Sequence, residues 1–204
     1  MSLLVGLTGD IGSGKSFATE IFRKKSARII SADNIAREII RAEKPEWKKI
    51  VRMFGKEVLL DSGEIDRTVL GKIIFKDQAK RKILEAILHP IIIEEEMKAY
   101  KNIISEDPNS LVILEAALLI ESGNYKNVDR VIVIFCDESE RLRRIKCRDE
   151  LSHSDIKRRM NAQMSLSKKI NYADYILENN GTKEDLEYQI DILYEKLINQ
   201  IKNP

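Results

Sequence analysis

The sequence predicts an α/β protein built on a parallel five-stranded sheet, and three observations carry that prediction. Short apolar runs alternate with stretches of helical period. The first run passes through a glycine-rich turn directly into a helical stretch. The chain closes on its clearest amphipathic helix, with Leu186, Ile190, Leu193, Leu197 and Ile201 on one stripe.

Taken in order, Leu3 to Thr8 reads as the first strand and Ser16 to Lys25 as its helix, with Ala18, Ile21 and Phe22 on one face. Arg28 to Ser31 reads as the second strand, followed by a helix over Asn34 to Ile40. Roughly eighty residues then precede the third strand, Leu111 to Glu115, far more than one crossover helix needs. That segment reads as an inserted helical lobe at about 35–106, with helices over Lys80 to Leu88 and Ile91 to Tyr100. Arg130 to Phe135 is the fourth strand, and Asp137 to Arg148 and Ser154 to Met164 form a shorter helical excursion at about 138–168. Tyr175 to Leu177 is the fifth strand. The last helix opens at Gly181 and Thr182, with Asp185 placed for an approximate capping box.

Composition narrows the class. A chain of 204 residues holds one sizeable core with small inserted lobes. Its 43% hydrophobic and 33% charged residues match a soluble globular protein. The formal charge of +2 is too small to argue for nucleic acid as a partner. Two cysteines, Cys136 and Cys147, make no disulfide framework or zinc cluster. No basic region precedes the apolar start, and Leu111 to Ile120 is too short to span a bilayer. The expectation is a cytoplasmic protein with no membrane contact, monomeric or weakly homo-oligomeric.

Gly9-Asp10-Ile11-Gly12-Ser13-Gly14-Lys15-Ser16 fits G-x-x-x-x-G-K-[ST] without a gap. Its glycines let successive backbone N–H groups converge on phosphate oxygens, and the helix N-terminus adds its dipole. Lys15 is expected to reach the β- and γ-phosphates, and the Ser16 hydroxyl to ligate Mg²⁺. The motif specifies a nucleoside triphosphate and leaves the reaction open. A nucleotide-dependent switch is one alternative, because Thr182-Lys183-Glu184-Asp185 resembles a guanine-reading element. No D-x-x-G occurs to sense the γ-phosphate, however, and the tetrapeptide is better explained as a helix cap.

A kinase needs an acceptor lobe, a group that orients the acceptor hydroxyl, and cations that close over the phosphates. The insert supplies a lobe. Asp33 follows the second strand, where a carboxylate orients a hydroxyl or accepts its proton; equally, it caps the next helix. RLRRIKCR, Arg141 to Arg148, is dense in basic residues, and at helical spacing Arg141, Arg144 and Arg148 share a face. It reads either as a solvated face balanced by nearby acids or as the arginine-bearing lid of a small kinase.

At this point the residues resemble the dephospho-CoA kinases, over about residues 3–201. The resemblance runs through GLTGDIGSGKS, SADNIAREI, IDRTVLGKIIF, LHPII, AALLIESG, RIKCRD, RRMNAQ and ENNG, in that order. It implies a P-loop NTPase fold of nucleotide-kinase type and ATP-dependent phosphorylation of the ribose 3′-hydroxyl of dephospho-CoA. A nucleoside or nucleotide kinase with another acceptor is the nearest rival. The resemblance makes Asp33 the acid acting on the acceptor hydroxyl, with Arg37 one turn farther along near the acceptor. Arg144 and Arg148 match lid arginines, with Arg159 and Gln163 on the returning lid helix. Asp10, Ile11, Gly12, Ser13, Gly14, Lys15, Ser16 and Phe17 become the ATP-binding stretch, and Asn180 belongs to the adenine-side loop. His89 either contacts the acceptor or, ahead of Pro90, caps the next helix.

The chain departs from the family's usual pattern at four places. Asp10 stands where glycine is usual, Phe17 where threonine is common, Ser31 where an aspartate often occurs, and Ala116-Ala117 where proline is usual. Loss of the acid at 31 narrows the catalytic carboxylate to Asp33, with Glu115 as a second candidate Mg²⁺ ligand. An acid about 4 Å from one phosphate charge costs on the order of 4 kcal/mol at an effective dielectric of 20. Asp10 is therefore expected to face the acceptor side or to pair with an arginine, Arg37 or a lid residue.

Overall fold

The computed structural model describes residues 1–148 and 152–203, with the side chains of Arg148 and His153 outside the described part. It divides into two compact units, one of Met1–Ser31 with Lys98–Pro204 and one of Ala32–Met97.

The first unit holds a five-stranded parallel sheet in the order β2-β3-β1-β4-β5. Its strands are β1 (Leu3–Gly9), β2 (Arg28–Ser31), β3 (Leu111–Glu115), β4 (Arg130–Phe135) and β5 (Tyr175–Glu178), all where the apolar runs predict them. Burial on both faces explains why these runs are nearly continuous rather than alternating. On one face, Val5, Leu7, Ile113, Ile132 and Ile134 pack against two helices, α1 (Lys15–Lys24) and the C-terminal Lys183–Lys202. The C-terminal helix offers the stripe read from sequence, all five of its members buried. Thr182 and Asp185 close a full capping box at its start. On the other face Leu119 lies so close over Gly6 that a Cβ there would sit 2.5 Å from its Cδ2.

β1 is hydrogen-bonded on both sides, with Leu7 opposite Glu115 of β3 and Gly9 opposite Ile134 of β4. From β1 the chain first builds β2 and β3 on one side and later β4 and β5 on the other. The carboxyl end of β1 is thus the switch point where a parallel sheet of this kind opens its crevice.

The second unit packs Ile50, Phe54, Val58, Ile65, Leu70 and Leu84 into a core of its own. Its helices are α2 (Ala32–Ile39), α3 (Pro45–Phe54), α4 (Arg67–Lys76) and the first part of α5 (Gln78–Glu106). Here the sequence reading needs correction. The two helices expected on either side of His89-Pro90 are one 29-residue helix with Pro90 inside it. Proline removes one intrahelical hydrogen bond. Leu84 and Leu88 pack into the unit's core just before it, and the long turns beyond Pro90 continue unbroken. His89 therefore lies mid-helix and caps nothing.

The remaining elements are α6 (Glu138–Arg148), α7 (His153–Asn161) and α8 (Leu166–Ile170), and the C-terminal Lys183–Lys202 helix is α9. None of the described helices is long and apolar enough to cross a membrane. Ile190 of α9 is fully buried against the sheet, so Ile190→Ala should destabilise the fold by about 2–5 kcal/mol. Urea unfolding with an unchanged slope would show it.

Candidate active site

The chain leaves β1 at Gly9 and must reverse within a few residues to start α1 at Lys15. Gly12 and Gly14 make this possible with φ of 82° and 97°, in the left-handed region that L side chains avoid. Both are also crowded. A Cβ on Gly12 would lie 3.0 Å from the Arg141 carbonyl and from Ile145 Cγ1, so α6 packs directly on the loop. A Cβ on Gly14 would lie 2.2 Å from Asn179 Nδ2. No side chain caps the N-terminus of α1. Its first-turn amides have no intrahelical acceptor, which is the geometry that receives phosphate oxygens.

The loop's own bonds hold its shape. Ser13 N donates to the Asp10 carbonyl at 3.1 Å, and Lys15 Nζ folds back to the Gly9 carbonyl at 2.9 Å. Asn179 Nδ2 donates to the Ser13 carbonyl at 2.7 Å. Arg144 completes that link by donating through Nη2 to the Asn179 carbonyl at 2.9 Å. Ile11 N donates to Gln163 Oε1, at 3.2 Å, so the loop is also tied to the segment after α7.

Asp10 does not stand alone. Its Oδ2 accepts from Arg141 Nη1 at 2.8 Å, and Lys169 Nζ lies 3.4 Å from its Oδ1. Lys169, fully buried, also reaches Glu121 Oε1 at 3.1 Å and the Ala117 carbonyl at 3.0 Å. Glu121 Oε1 accepts from Met164 N at 2.9 Å as well. Two carboxylates and two cations thus form a buried, charge-balanced node, which is the condition under which ions tolerate removal from water. Of the partners expected for Asp10, the lid residue is the one present.

Several sequence expectations are resolved by these contacts. Arg141 and Arg144 do not act as one basic face: Arg141 turns inward to Asp10, while Arg144 bonds Asn179 and, through Nε, Glu140 Oε1 at 2.8 Å. Phe17 packs against the main core, and Lys183 Nζ stands 5.5 Å from its ring centroid. Asn180 accepts from Asp137 N at 2.8 Å, while its neighbour Asn179 makes the loop contact. Period-2 alternation from the buried Leu177 would have selected Asn179 as the inward residue. Arg141 had a signal in the basic run and in the acid it neutralises, whereas Lys169 and Glu121 had none comparable.

Asp33, Arg37 and His89 belong to the second unit. α2 begins at Ala32, so Asp33 sits exposed within the first turn and is not the cap that sequence reading allowed. Arg37 follows, exposed, in the last turn of the same helix. The donor set for Mg²⁺ is of the right chemical kind. Ser16 presents an exposed hydroxyl in the first turn of α1, and Glu115 ends β3, the strand beside β1. Hard oxygen donors of this sort, few in number, suit a cation that keeps waters and substrate phosphates.

A parallel sheet of this order, with a G-x-x-x-x-G-K-S loop leaving its central strand, defines the P-loop kinase fold. Within that class the chain belongs to the dephospho-CoA kinase family, whose family model matches residues 3–185. A dephospho-CoA kinase from Aquifex aeolicus is 41% identical over 194 residues, covering 95% of this chain and 96% of the relative. The solved dephospho-CoA kinase from Campylobacter jejuni superposes with a TM-score of 0.71 at 32% identity, over 98% of this chain and 99% of that one. A crystal structure from Thermus thermophilus gives a TM-score of 0.77 at 30% identity, over 96% and 98% of the two chains.

Glu140 offers a pH test of the first turns of α6. Hydrogen bonds from Arg143 and then Arg144 hold its carboxyl down at about 2, against an ordinary 4.5. A value lowered on folding means that the pairing favours the fold above about pH 4.5 and is lost as pH falls toward 2. Carboxyl-carbon NMR should show Glu140 still ionised at about pH 3, below the ordinary glutamate range, and Arg143→Gln should move its midpoint upward.

Proposed function

We propose that this chain transfers the γ-phosphoryl group of ATP to the ribose 3′-hydroxyl of dephospho-CoA, giving CoA and ADP, the last step of CoA synthesis. The observation that carries the reading is the loop between β1 and α1. Its shape is held by Asn179, Gln163 and Arg141 while the first-turn amides of α1 have no intrahelical acceptor. A cradle held in this way stabilises developing phosphoryl charge with little reorganisation.

In the proposed reaction Lys15 engages the β- and γ-phosphates. Arg144 and Arg148 spread positive charge along the transferring group, since guanidinium groups suit its equatorial oxygens. Ser16 with Glu115 would hold Mg²⁺, which would supply positive charge against the triphosphate. Asp33 accepts a hydrogen bond from the acceptor hydroxyl, aims it in line, and takes its proton as the new P–O bond forms. Ser31 ends β2 beside Glu115 of β3, and Asp33 is two residues farther along the chain. Arg37 and His89 are assigned to acceptor binding, and Asn180 to the adenine side. We place the enzyme in the cytoplasm as a monomer or weak homo-oligomer that engages neither nucleic acid nor membrane.

A coupled ADP-release assay with dephospho-CoA, several nucleosides, and no acceptor tests the reading. Turnover should depend on dephospho-CoA; preference for a nucleoside would assign the chain another acceptor. Asp33→Asn should lower kcat by about 10²–10⁴-fold, the usual range for a lost general base, while ATP affinity stays within about twofold. Near-native turnover would remove Asp33 from the chemistry.

A further inference from the structure

We infer that Arg141 is a positioning residue for the phosphate loop: its buried pairing with Asp10 makes an acid in that loop compatible with a bound triphosphate and seats α6 on the loop. The inference rests on the phosphate-loop reading above, and it is independent of which acceptor is used.

The geometry argues for it at three points. Arg141 is itself 6% exposed, and its guanidinium is fixed from two sides, with Nε donating to the Cys136 carbonyl at 3.1 Å and Nη1 to Asp10 at 2.8 Å. Its role is therefore not that of a mobile lid arginine waiting for substrate. Charge balance is the second point. Asp10 and Glu121 face Arg141 and Lys169, so the node is neutral only while Arg141 is present. Without it, a surplus carboxylate charge is left inside a loop whose amides must attract phosphate, and little water is there to screen it.

The third point is mechanical. The Arg141 carbonyl and Ile145 rest on Gly12, at the contact distance that only glycine permits. One turn later Arg144 reaches the far side of the loop through Asn179 and the Ser13 carbonyl. Adjacent turns of α6 thus hold the two ends of the same short loop, Arg141 at Asp10 and Arg144 at Ser13. Seating the helix by Arg141 sets where Arg144 points.

The test is ATP affinity measured by calorimetry without any acceptor, on variants shown by circular dichroism to be folded. Arg141→Gln should weaken ATP binding about 10-fold, which corresponds to about 1.4 kcal/mol. Adding Asp10→Asn to that variant should restore affinity to within about threefold of native, because the charge being neutralised is then gone. A merely structural arginine predicts no such recovery. If Arg141→Gln does not fold, Asp10→Asn is compared with the double variant. Equal affinities within about threefold support neutralisation, since without the acid the arginine has nothing to offset. Native affinity in a folded Arg141→Gln, no recovery in the double variant, or a 10-fold gap in that second comparison overturns the inference. Failure of the native chain to bind ATP would overturn both this and the phosphate-loop reading. Failure to turn over dephospho-CoA would count against the acceptor assignment alone.

Discussion

The position of β1 is the constraint on which the rest of the structure depends. It is paired to β3 on one side and β4 on the other, so its carboxyl end cannot shift without breaking two ladders. The chain leaving that end must therefore turn in place, and the turn is made by glycines in left-handed conformations. A nucleotide site at this position needs little else from the backbone. Everything added afterward, from α6 to the segment after β5, holds the turn from outside.

What holds it is a mixture of charges that differ sharply in energetic weight. Glu140 with Arg143, or Glu20 with Arg23, are pairs near the surface that water and salt screen. The node of Asp10, Arg141, Lys169 and Glu121 is different in kind. Lys169 is wholly buried, and Asp10 and Arg141 nearly so, so each ion depends on its partners for solvation. Such a node contributes little net stability relative to apolar residues of equal size. It does specify one arrangement, because removing any member leaves a buried charge uncompensated. The node joins the phosphate loop, α6, α8 and the loop after β3 within one unit.

The second unit has its own core and a different economy. Trp47 donates from Nε1 to the Gly63 carbonyl at 2.9 Å, Asp66 caps α4 through the amides of Thr68 and Val69, and Asp77 serves the start of α5 in the same way. Local hydrogen bonds and a small apolar cluster thus help shape this lobe.

The strands, the phosphate loop and the α9 stripe were legible in the sequence because each is a local pattern: an apolar run, a glycine spacing, a 3.6-residue period. Family membership was legible for the same reason, through short motifs in fixed order. The continuity of α5 was not, since Pro90 argues locally for a break and only packing of the turns before it argues against one. The need of Asp10 for a cation was also apparent from sequence, by electrostatics alone. Which cations answer it was settled by the fold: Arg141 lies 131 residues away along the chain, and Lys169 farther still. Local sequence determines what each segment prefers to be. Only the packed sheet decides which distant side chains share a volume from which water is excluded, and it is there that a single unpaired charge becomes intolerable.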